Sequence, residues 1–325
     1  MEYRNVGKSG LKVSEIALGS WMTELRESAQ VSAAERIINL AYQEGVNFFD
    51  CADAYSGGAA EQFLGKILKN YPRSSYVVSS KVFFPTGTGV TERGLSRKHI
   101  FDSIDRSLEN MKLDYIDLYY CHRFDTSTPM EETLRALSDL VSQGKILYYG
   151  VSEEWGAVEL TEAQKIISEY RLYPMTVIQP QYHMLDRYVE HAILDVCEKY
   201  GIGVTPFSPL AQGLLTGKYK KGRALPEGSR ATHQADKQIN RLLTEEHLDQ
   251  VEKLSQVAKE LGISLSVLSL AWILRKGMVC SVITGASGAE QLENNLKAAG
   301  YKIPEDALRE IESILNFHRF ERHVG

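Results

Sequence analysis

The chain has 325 residues, of which 43% are hydrophobic and 24% are charged, and its formal net charge is −5. These values are ordinary for a soluble globular protein with one sizeable core. The acidic balance argues against a nonspecific nucleic-acid binder, because such proteins usually carry a strongly basic face. The length suits one domain better than two large ones, so we expect a single domain over residues 1–325.

The cysteines and the N-terminal segment bear on location. The four cysteines form no CxxC pair and have no zinc-finger spacing, which is typical of a protein in a reducing compartment. Residues 1–20 lack the apolar stretch of a signal peptide. No apolar run approaches the roughly 18 residues that a membrane span needs. We therefore expect a cytoplasmic protein without membrane insertion.

Short apolar strands alternate with amphipathic helices along the chain. Eight strands are predicted at Ile16–Gly19, Phe48–Asp50, Tyr76–Lys81, Ile116–Cys121, Lys145–Val151, Thr176–Gln179, Gly203–Ser208 and Ser281–Gly285. Helices are predicted at about 33–43, 60–69, 98–110, 130–143, 158–170, 190–200 and 289–298. Continuous runs of Val, Ile, Phe and Tyr are typical of parallel strands covered on both faces. Eight such strand–helix units favour an α/β fold, a closed (β/α)8 TIM barrel.

Further elements are predicted outside the eight units. Residues 3–13 contain a Gly-Lys-Ser-Gly turn between two short extended pieces, which indicates an N-terminal β-hairpin. Two extra helices, at about 245–261 and 265–275, lie between strands seven and eight, and a final helix spans about 305–315. The alternative fold is an open, doubly wound sheet, which usually carries a GxGxxG motif after its first strand. The chain has no such motif.

Ionisable side chains follow three neighbouring predicted strands. Strand two ends in Asp50, and the next turn carries Tyr55. Strand three ends in Lys81, and His122 follows strand four. A lone Lys or Asp at a strand end is more often a solvated loop residue, and a lone His is more often a structural one. The active site of a (β/α)8 barrel lies at the C-terminal ends of its strands, so we expect all four at one rim.

This combination suits the reduction of a carbonyl group. An ammonium group near Tyr55 favours the phenolate, so we expect Lys81 to lower the tyrosine pKa from about 10. Tyr55 would then donate a proton to a developing alkoxide. Asp50 would hold Lys81 charged, and a neutral His122 could orient the carbonyl oxygen. None of these groups supplies hydride, so the chemistry requires a nicotinamide cofactor.

These four residues resemble the catalytic tetrad of the aldo-keto reductase family, and the resemblance covers nearly the whole chain. The motifs that carry it are Gly10–Ser14, Leu18–Trp21, Phe49–Tyr55, Gly150–Ser152, Gln179–Tyr182, Ser208–Gly213 and Gly285–Ser287. The resemblance implies one barrel domain over residues 1–325. It also implies NADPH-dependent reduction of aldehydes and ketones, with Tyr55 as the proton donor.

The resemblance further implies a set of residues that bind NADPH or NADP+. Trp21 would line the cofactor pocket, Ser152 and Gln179 would bind the nicotinamide carboxamide, and Tyr182 would stack on the nicotinamide ring. The other implied residues are Ser208, Leu210 and Gln212 on the pyrophosphate path, Lys218, Ser229 and Arg230 near the 2′-phosphate, and Gly285, Ser287, Gln291 and Asn295 at the adenosine end. Two cations at the 2′-phosphate favour NADPH over NADH.

Some segments point to a subgroup. Residues 92–100, 128–133, 181–184 and 285–292 resemble the β subunits of voltage-gated potassium channels and their bacterial reductase relatives. That channel group carries Asn at the tetrad histidine position, so His122 favours a working enzyme. The alternative is an NADP(H)-sensing regulatory subunit of a membrane protein, with slow turnover. The resemblance also implies a homo-oligomer, for which a tetramer is the expectation. The chain departs from its relatives at Glu153 and Asn294.

The remaining candidates concern the substrate pocket and metals. Phe83, Phe84 and Trp155 could line a pocket for apolar or aromatic aldehydes, or they could pack in the core. Residues 317–320 could close over the substrate, or they could simply fray. No metal-ligand set is evident, and an unrelated lyase or isomerase barrel would need metal or phosphate-binding features that the sequence does not show.

Overall fold

The computed structural model describes residues 1–21, 28–232 and 238–319. Two antiparallel strands form the predicted N-terminal hairpin, β1 (Tyr3–Asn5) and β2 (Lys12–Ser14). The barrel strands are β3 (Ile16–Gly19), β4 (Phe48–Asp50), β5 (Val77–Val82), β6 (Ile116–Arg123), β7 (Ile146–Glu153), β8 (Met175–Ile178), β9 (Gly203–Val204) and β10 (Val282–Thr284). The helices are α1 (Ser28–Gln43), α2 (Ala59–Leu68), α3 (Arg97–Met111), α4 (Met130–Ser142), α5 (Ala157–Glu169), α6 (Ile193–Tyr200), α7 (Gln238–Leu242), α8 (Glu245–Glu260), α9 (Leu265–Leu274), α10 (Ala289–Leu296) and α11 (Glu305–Leu315).

The eight barrel strands are parallel and follow one another in space in the order β10-β3-β4-β5-β6-β7-β8-β9. The two ends of this curled sheet also meet. An isolated parallel bridge joins Val204 to Val279, and the Ile283 amide donates to the Pro206 carbonyl at 2.9 Å. These contacts confirm the predicted (β/α)8 barrel.

Both faces of the barrel strands are buried along most of their length, which explains the continuous apolar runs. In β6, Leu118 and Tyr120 belong to a core cluster that also holds Phe48 and Val177. The alternate residues Tyr119 and Cys121 belong to the larger cluster that includes the surrounding helices. Successive side chains point to opposite faces of a strand, so one strand contributes to both cores.

Helix α9 is apolar on all sides because the protein encloses it. Its ten residues are all buried, and the Ser264 side chain caps it by accepting a hydrogen bond from the Val267 amide at 3.2 Å. No single helix in the described part of the chain is long and apolar enough to span a membrane. Among the helices that the structure describes, only α8 and α9 taken together reach that length and composition, across a bend of 91°.

The structure differs from the predicted elements mainly near the seventh strand. Regular pairing there covers only Gly203–Val204, instead of extending to Ser208. Pro206 and Pro209 have no amide hydrogen to donate, so they interrupt the ladder. Helix α1 begins at Ser28, before the predicted start near residue 33, and the short helix α7 was not predicted.

Candidate active site

A cavity of about 620 Å³ opens at the C-terminal ends of the barrel strands. Most of the predicted site residues line it, namely Trp21, Asp50, Tyr55, His122, Ser152, Gln179, Ser208, Leu210, Gln212, Lys218, Arg230, Gly285, Ser287 and Gln291. Four predicted residues are not among its lining residues, namely Lys81, Tyr182, Ser229 and Asn295. The cavity thus brings the predicted catalytic and cofactor residues into one continuous space.

Asp50, Tyr55 and Lys81 meet at the base of this cavity. The Lys81 ammonium is fully buried and lies 2.7 Å from Asp50 Oδ2, 2.6 Å from the Cys51 carbonyl and 3.5 Å from the Tyr55 hydroxyl. Asp50 Oδ1 also accepts hydrogen bonds from Ser79 Oγ at 2.7 Å and from Gln179 Nε2 at 2.9 Å. A buried charge is stable only when paired and hydrogen-bonded, and both charges here satisfy that condition.

The pKa of Lys81 stays high in this setting. Burial opposes the ammonium charge and lowers its pKa, but the charge of Asp50 and the hydroxyl of Tyr55 outweigh burial and raise it above its ordinary value. Lys81 is therefore a cation at neutral pH, as predicted.

Lys81 lowers the pKa of Tyr55, as predicted, but the net shift is upward, against the expectation that the pKa falls below about 10. Burial raises the pKa of Tyr55 to about 12; Lys81 lowers it, but not enough to compensate. The sequence identified the neighbouring cation but not the desolvation of the phenol. Tyr55 is consequently a protonated phenol at neutral pH, within reach of a cation that stabilises its phenolate.

His122 stands beside Tyr55 as a neutral imidazole. The two ring centroids are 5.8 Å apart, and the rings are inclined at 74°. Burial, together with the charges of Lys81 and Arg123, holds the His122 pKa well below its usual value. Phe84 meets the other side of the imidazole edge-on at 4.9 Å. His122 can therefore donate a hydrogen bond to a carbonyl oxygen without carrying charge.

The predicted carboxamide pair lies at the ends of the next strands. Ser152 is the last residue but one of β7, and Gln179 directly follows β8. Ser152 Oγ donates to the Gln179 carbonyl at 2.7 Å. Because Gln179 also donates to Asp50, it links the tetrad to this part of the cavity. Glu153, noted as a departure from the relatives, lines the same region.

The loop after β9 has an unusual backbone. Ser208, Ala211 and Gln212 have φ angles of 52°, 49° and 57°, in the left-handed region that non-glycine residues seldom adopt. Gln212 Nε2 donates to Ser208 Oγ at 2.9 Å, so the loop is braced by its own side chains. Clusters of strained backbone often mark ligand sites, and this one lies where the pyrophosphate path was predicted.

The predicted 2′-phosphate residues lie along the same wall. Lys218 and Arg230 line the cavity, and Arg230 donates to Gln212 Oε1. The Arg230 guanidinium also faces the Trp21 ring at 5.6 Å. Ser229, which precedes Arg230 in the chain, is buried, and its hydroxyl has no hydrogen-bond partner among the described residues.

The predicted adenosine end is built on the start of α10. Gln291 Oε1 accepts hydrogen bonds from the Ser287 amide at 2.7 Å and from its hydroxyl at 3.0 Å. Asn295 is fully buried, and neither polar atom of its amide has a partner within the described part of the chain. A buried amide without partners is costly, so this one fits a polar ligand. Asn294 instead bonds to Ser264, outside the cavity lining.

The structure does not place Tyr182 where the sequence suggested. Tyr182 is fully buried; its hydroxyl donates to Glu190 Oε1 at 2.6 Å, and its ring packs against Trp272 with centroids 5.5 Å apart. An aromatic residue that the sequence reading missed, Phe207, lines the cavity instead. Phe207 directly precedes Ser208 at the end of the seventh predicted strand, and this position could have indicated that it lines the cavity.

The other aromatic candidates divide between the cavity and the core. Phe84 lines the cavity, whereas Phe83 packs against the core and Trp155 is buried against Phe124 at 5.0 Å. Phe317 contacts Arg187, with the guanidinium 4.1 Å from its ring, and is not among the cavity lining residues. Phe320, at the end of the predicted lid segment, lies outside the described residues.

Comparison with known proteins shows which family the chain belongs to. The model of the aldo/keto reductase family matches residues 15–316. A Schizosaccharomyces pombe protein is 41% identical over 98% of this chain and 94% of its own length. Proteins from Arabidopsis thaliana and Oryza sativa are 42% and 41% identical over 92% of this chain and 91% of their own lengths. Each carries a name that describes it as a voltage-gated potassium channel subunit beta.

Proposed function

The chain belongs to the aldo/keto reductase family, and we propose that it reduces aldehydes and ketones to alcohols with NADPH, using Tyr55 as the proton donor. The observation that carries the proposal is the buried contact of Lys81 with Asp50 and Tyr55 at the base of the cavity. A protonated phenol next to a fixed cation has the chemistry needed to protonate an alkoxide at neutral pH.

In the proposed mechanism, each tetrad residue has a separate task. His122 donates a hydrogen bond to the substrate carbonyl oxygen and holds it near the Tyr55 hydroxyl. As negative charge develops on that oxygen, Tyr55 transfers its proton to it, and Lys81 stabilises the phenolate that remains. Asp50 keeps Lys81 charged and in place. Bound NADPH supplies the hydride, which no protein side chain can provide.

Residues in the cavity wall and directly beside it support the assignment of NADPH. Ser152 and Gln179 would hold the carboxamide, and Phe207 takes the place of Tyr182 as the aromatic ring available for stacking. Lys218, Ser229 and Arg230 would receive the 2′-phosphate, and the unpartnered amide of Asn295 would serve the adenosine end.

The substitution Tyr55→Phe tests the role of the proton donor. It removes one hydroxyl, and we expect turnover to fall by about 10² to 10⁴ while NADPH binding is kept. The measurements are the loss of NADPH absorbance with an aldehyde and the fluorescence of bound NADPH. Tyr173→Phe is the matched control, because Tyr173 is 47% exposed and does not line the cavity. Full turnover in Tyr55→Phe would contradict the assignment.

The substitution Arg230→Ala tests the cofactor. Loss of one charge-assisted contact to a phosphate should weaken NADPH binding about 10- to 100-fold and change NADH binding little. Arg223→Ala is the control, since Arg223 is exposed in the same loop and does not line the cavity. Equal losses for both nucleotides would argue against a 2′-phosphate site.

The names of the relatives favour a second candidate function. This chain would then be a regulatory subunit that binds NADP(H), turns over slowly and associates with a membrane protein. Turnover measured with a panel of carbonyl compounds that includes methylglyoxal and a nitrobenzaldehyde distinguishes the reductase from the regulatory subunit. Turnover with NADPH preferred supports the reductase. Tight NADPH binding without turnover on any carbonyl supports the subunit, and co-purification with a membrane protein tests it directly.

The location and the assembly also belong to this proposal. We place the protein in the cytoplasm as a single-domain chain that forms a homo-oligomer, with a tetramer as the expected state. Light scattering coupled to size-exclusion chromatography measures the assembly, and a monomer at micromolar concentration would refute it.

A further inference from the structure

The cavity holds a second charged group, beside the tetrad, that the mechanism does not use. Arg123 directly follows His122 at the end of β6, and Glu153 is its partner across to β7 in the strand register. Both residues line the cavity. One guanidinium terminus of Arg123 pairs with Glu153 and the other pairs with Glu154.

The backbone conformation at the end of β7 allows both Glu153 and Glu154 to pair with Arg123. Glu154 has a φ of 67°, a left-handed conformation that is unfavourable for a residue with a side chain. This turn comes directly after Glu153, at the end of β7, so consecutive carboxylates reach the same guanidinium. The Glu153 carbonyl also accepts a hydrogen bond from the Phe124 amide at 3.2 Å, which fixes the two strand ends together.

Beside the tetrad, this cluster leaves no spare cation among the described residues for a negatively charged substrate. Its formal charge is −1, from one arginine and two glutamates. Lys81, the other cation near the tetrad, is already bound to Asp50. A substrate carboxylate could reach the guanidinium termini of Arg123 only by displacing Glu153 or Glu154. Either displacement would leave a glutamate carboxylate without its cation and next to a like charge.

We propose that Arg123, Glu153 and Glu154 form a charge filter that selects uncharged carbonyl substrates against carboxylate-bearing ones. The filter stands beside His122 in the cavity wall, so it faces a substrate whose carbonyl oxygen His122 holds. The Phe84 ring lies between His122 and Arg123, with the guanidinium 5.4 Å from its centroid, and offers an apolar face to such a substrate. The inference rests on the proposed reductase function and adds its substrate class.

Two aldehydes of similar size test the filter. 4-Nitrobenzaldehyde is neutral, and 4-carboxybenzaldehyde carries a carboxylate at the same position. For the wild-type protein we expect kcat/KM to favour the neutral aldehyde by about tenfold or more, the effect of one unfavourable unit-charge contact in a partly desolvated site. In Glu153→Gln the preference should shrink by about tenfold, because the carboxylate facing the cavity is gone.

Glu198→Gln is the matched control. It makes the same change in net charge on the exposed side of α6, outside the cavity lining, and should leave the preference unchanged. Equal kcat/KM for both aldehydes in the wild type would overturn the filter. A preference that Glu153→Gln leaves within about twofold would overturn it too, since the discriminating charge would then lie elsewhere.

A binding experiment separates this inference from the proposed function. Both aldehydes are titrated calorimetrically into the wild type and into Glu153→Gln, each loaded with NADP+, where no hydride transfer to the aldehyde can occur. Selective binding of the neutral aldehyde without turnover in the NADPH assay would refute the reductase and support the filter. Equal binding of the two aldehydes would refute the filter alone, and binding of neither would refute both.

Discussion

Asp53 carries a buried carboxyl group two residues before Tyr55, and replacing it should stabilise the protein in a pH-dependent way. Its side chain is buried, and neither oxygen has a hydrogen-bond partner of standard geometry among the described residues. Its nearest cation is Arg106, with nitrogen and oxygen 3.7 Å apart. Burial, followed by the charge of Glu61, raises the pKa of Asp53 from 3.8 to about 7.

The raised pKa fixes the sign and the window of the effect. Below about pH 4, Asp53 is protonated in both the folded and the unfolded chain and contributes nothing. Between about pH 4 and pH 7 the unfolded chain ionises first, so the folded state loses stability as the pH rises, and above pH 7 the loss is constant. A shift of about three units at about 1.4 kcal/mol per unit gives a full loss of about 4 kcal/mol.

The test is Asp53→Asn, which keeps the shape of the side chain and cannot ionise. Denaturant unfolding at pH 5, 6, 7 and 8 measures the free energy of unfolding of the variant and of the wild type. We expect the variant to be the more stable, with its advantage growing by roughly 2 to 3 kcal/mol from pH 5 to pH 8. Asp114→Asn, at an exposed loop position, is the control and should show no such trend. An advantage that is constant or shrinks as the pH rises would refute the reasoning.

Two further substitutions probe the site and the barrel that supports it. Lys81→Met leaves Asp50 buried without its cation and should lower the free energy of unfolding by about 3 to 5 kcal/mol. The double variant Asp50→Asn with Lys81→Met should recover much of that stability but not turnover. Denaturation measures the stability and NADPH oxidation measures the turnover. Recovery of stability and turnover together would contradict the mechanism. A methyl group at Gly150 would lie 2.2 Å from the Val177 carbonyl oxygen, so Gly150→Ala should destabilise the barrel by about 1 to 3 kcal/mol or more. Gly277→Ala, which meets no atom within 4 Å, is its control in thermal unfolding, and equal melting temperatures would refute the clash.

The sequence by itself determined the architecture and the position of the tetrad. Continuous apolar runs at eight places predict strands that are buried on both faces, and the structure has such strands at all eight. The structure also confirms the hairpin, the extra helices and the convergence of Asp50, Tyr55, Lys81 and His122 on one rim. These features were predictable because the period of apolar residues and the polar residue that ends a strand are local properties of the chain.

The tertiary structure alone decided which aromatic ring faces the cavity and how strongly each group is desolvated. Tyr182 and Phe207 are both aromatic residues that follow predicted strands, and the sequence does not distinguish them. The packing does: Tyr182 contacts Glu190 and Trp272, whereas Phe207 lines the cavity. Three other features could not be predicted from the sequence either. They are the raised pKa of Tyr55, the unpartnered amide of Asn295 and the ion pairs of Arg123 with both Glu153 and Glu154. Burial and the pairing of charges depend on residues distant in the chain, and no local pattern records them.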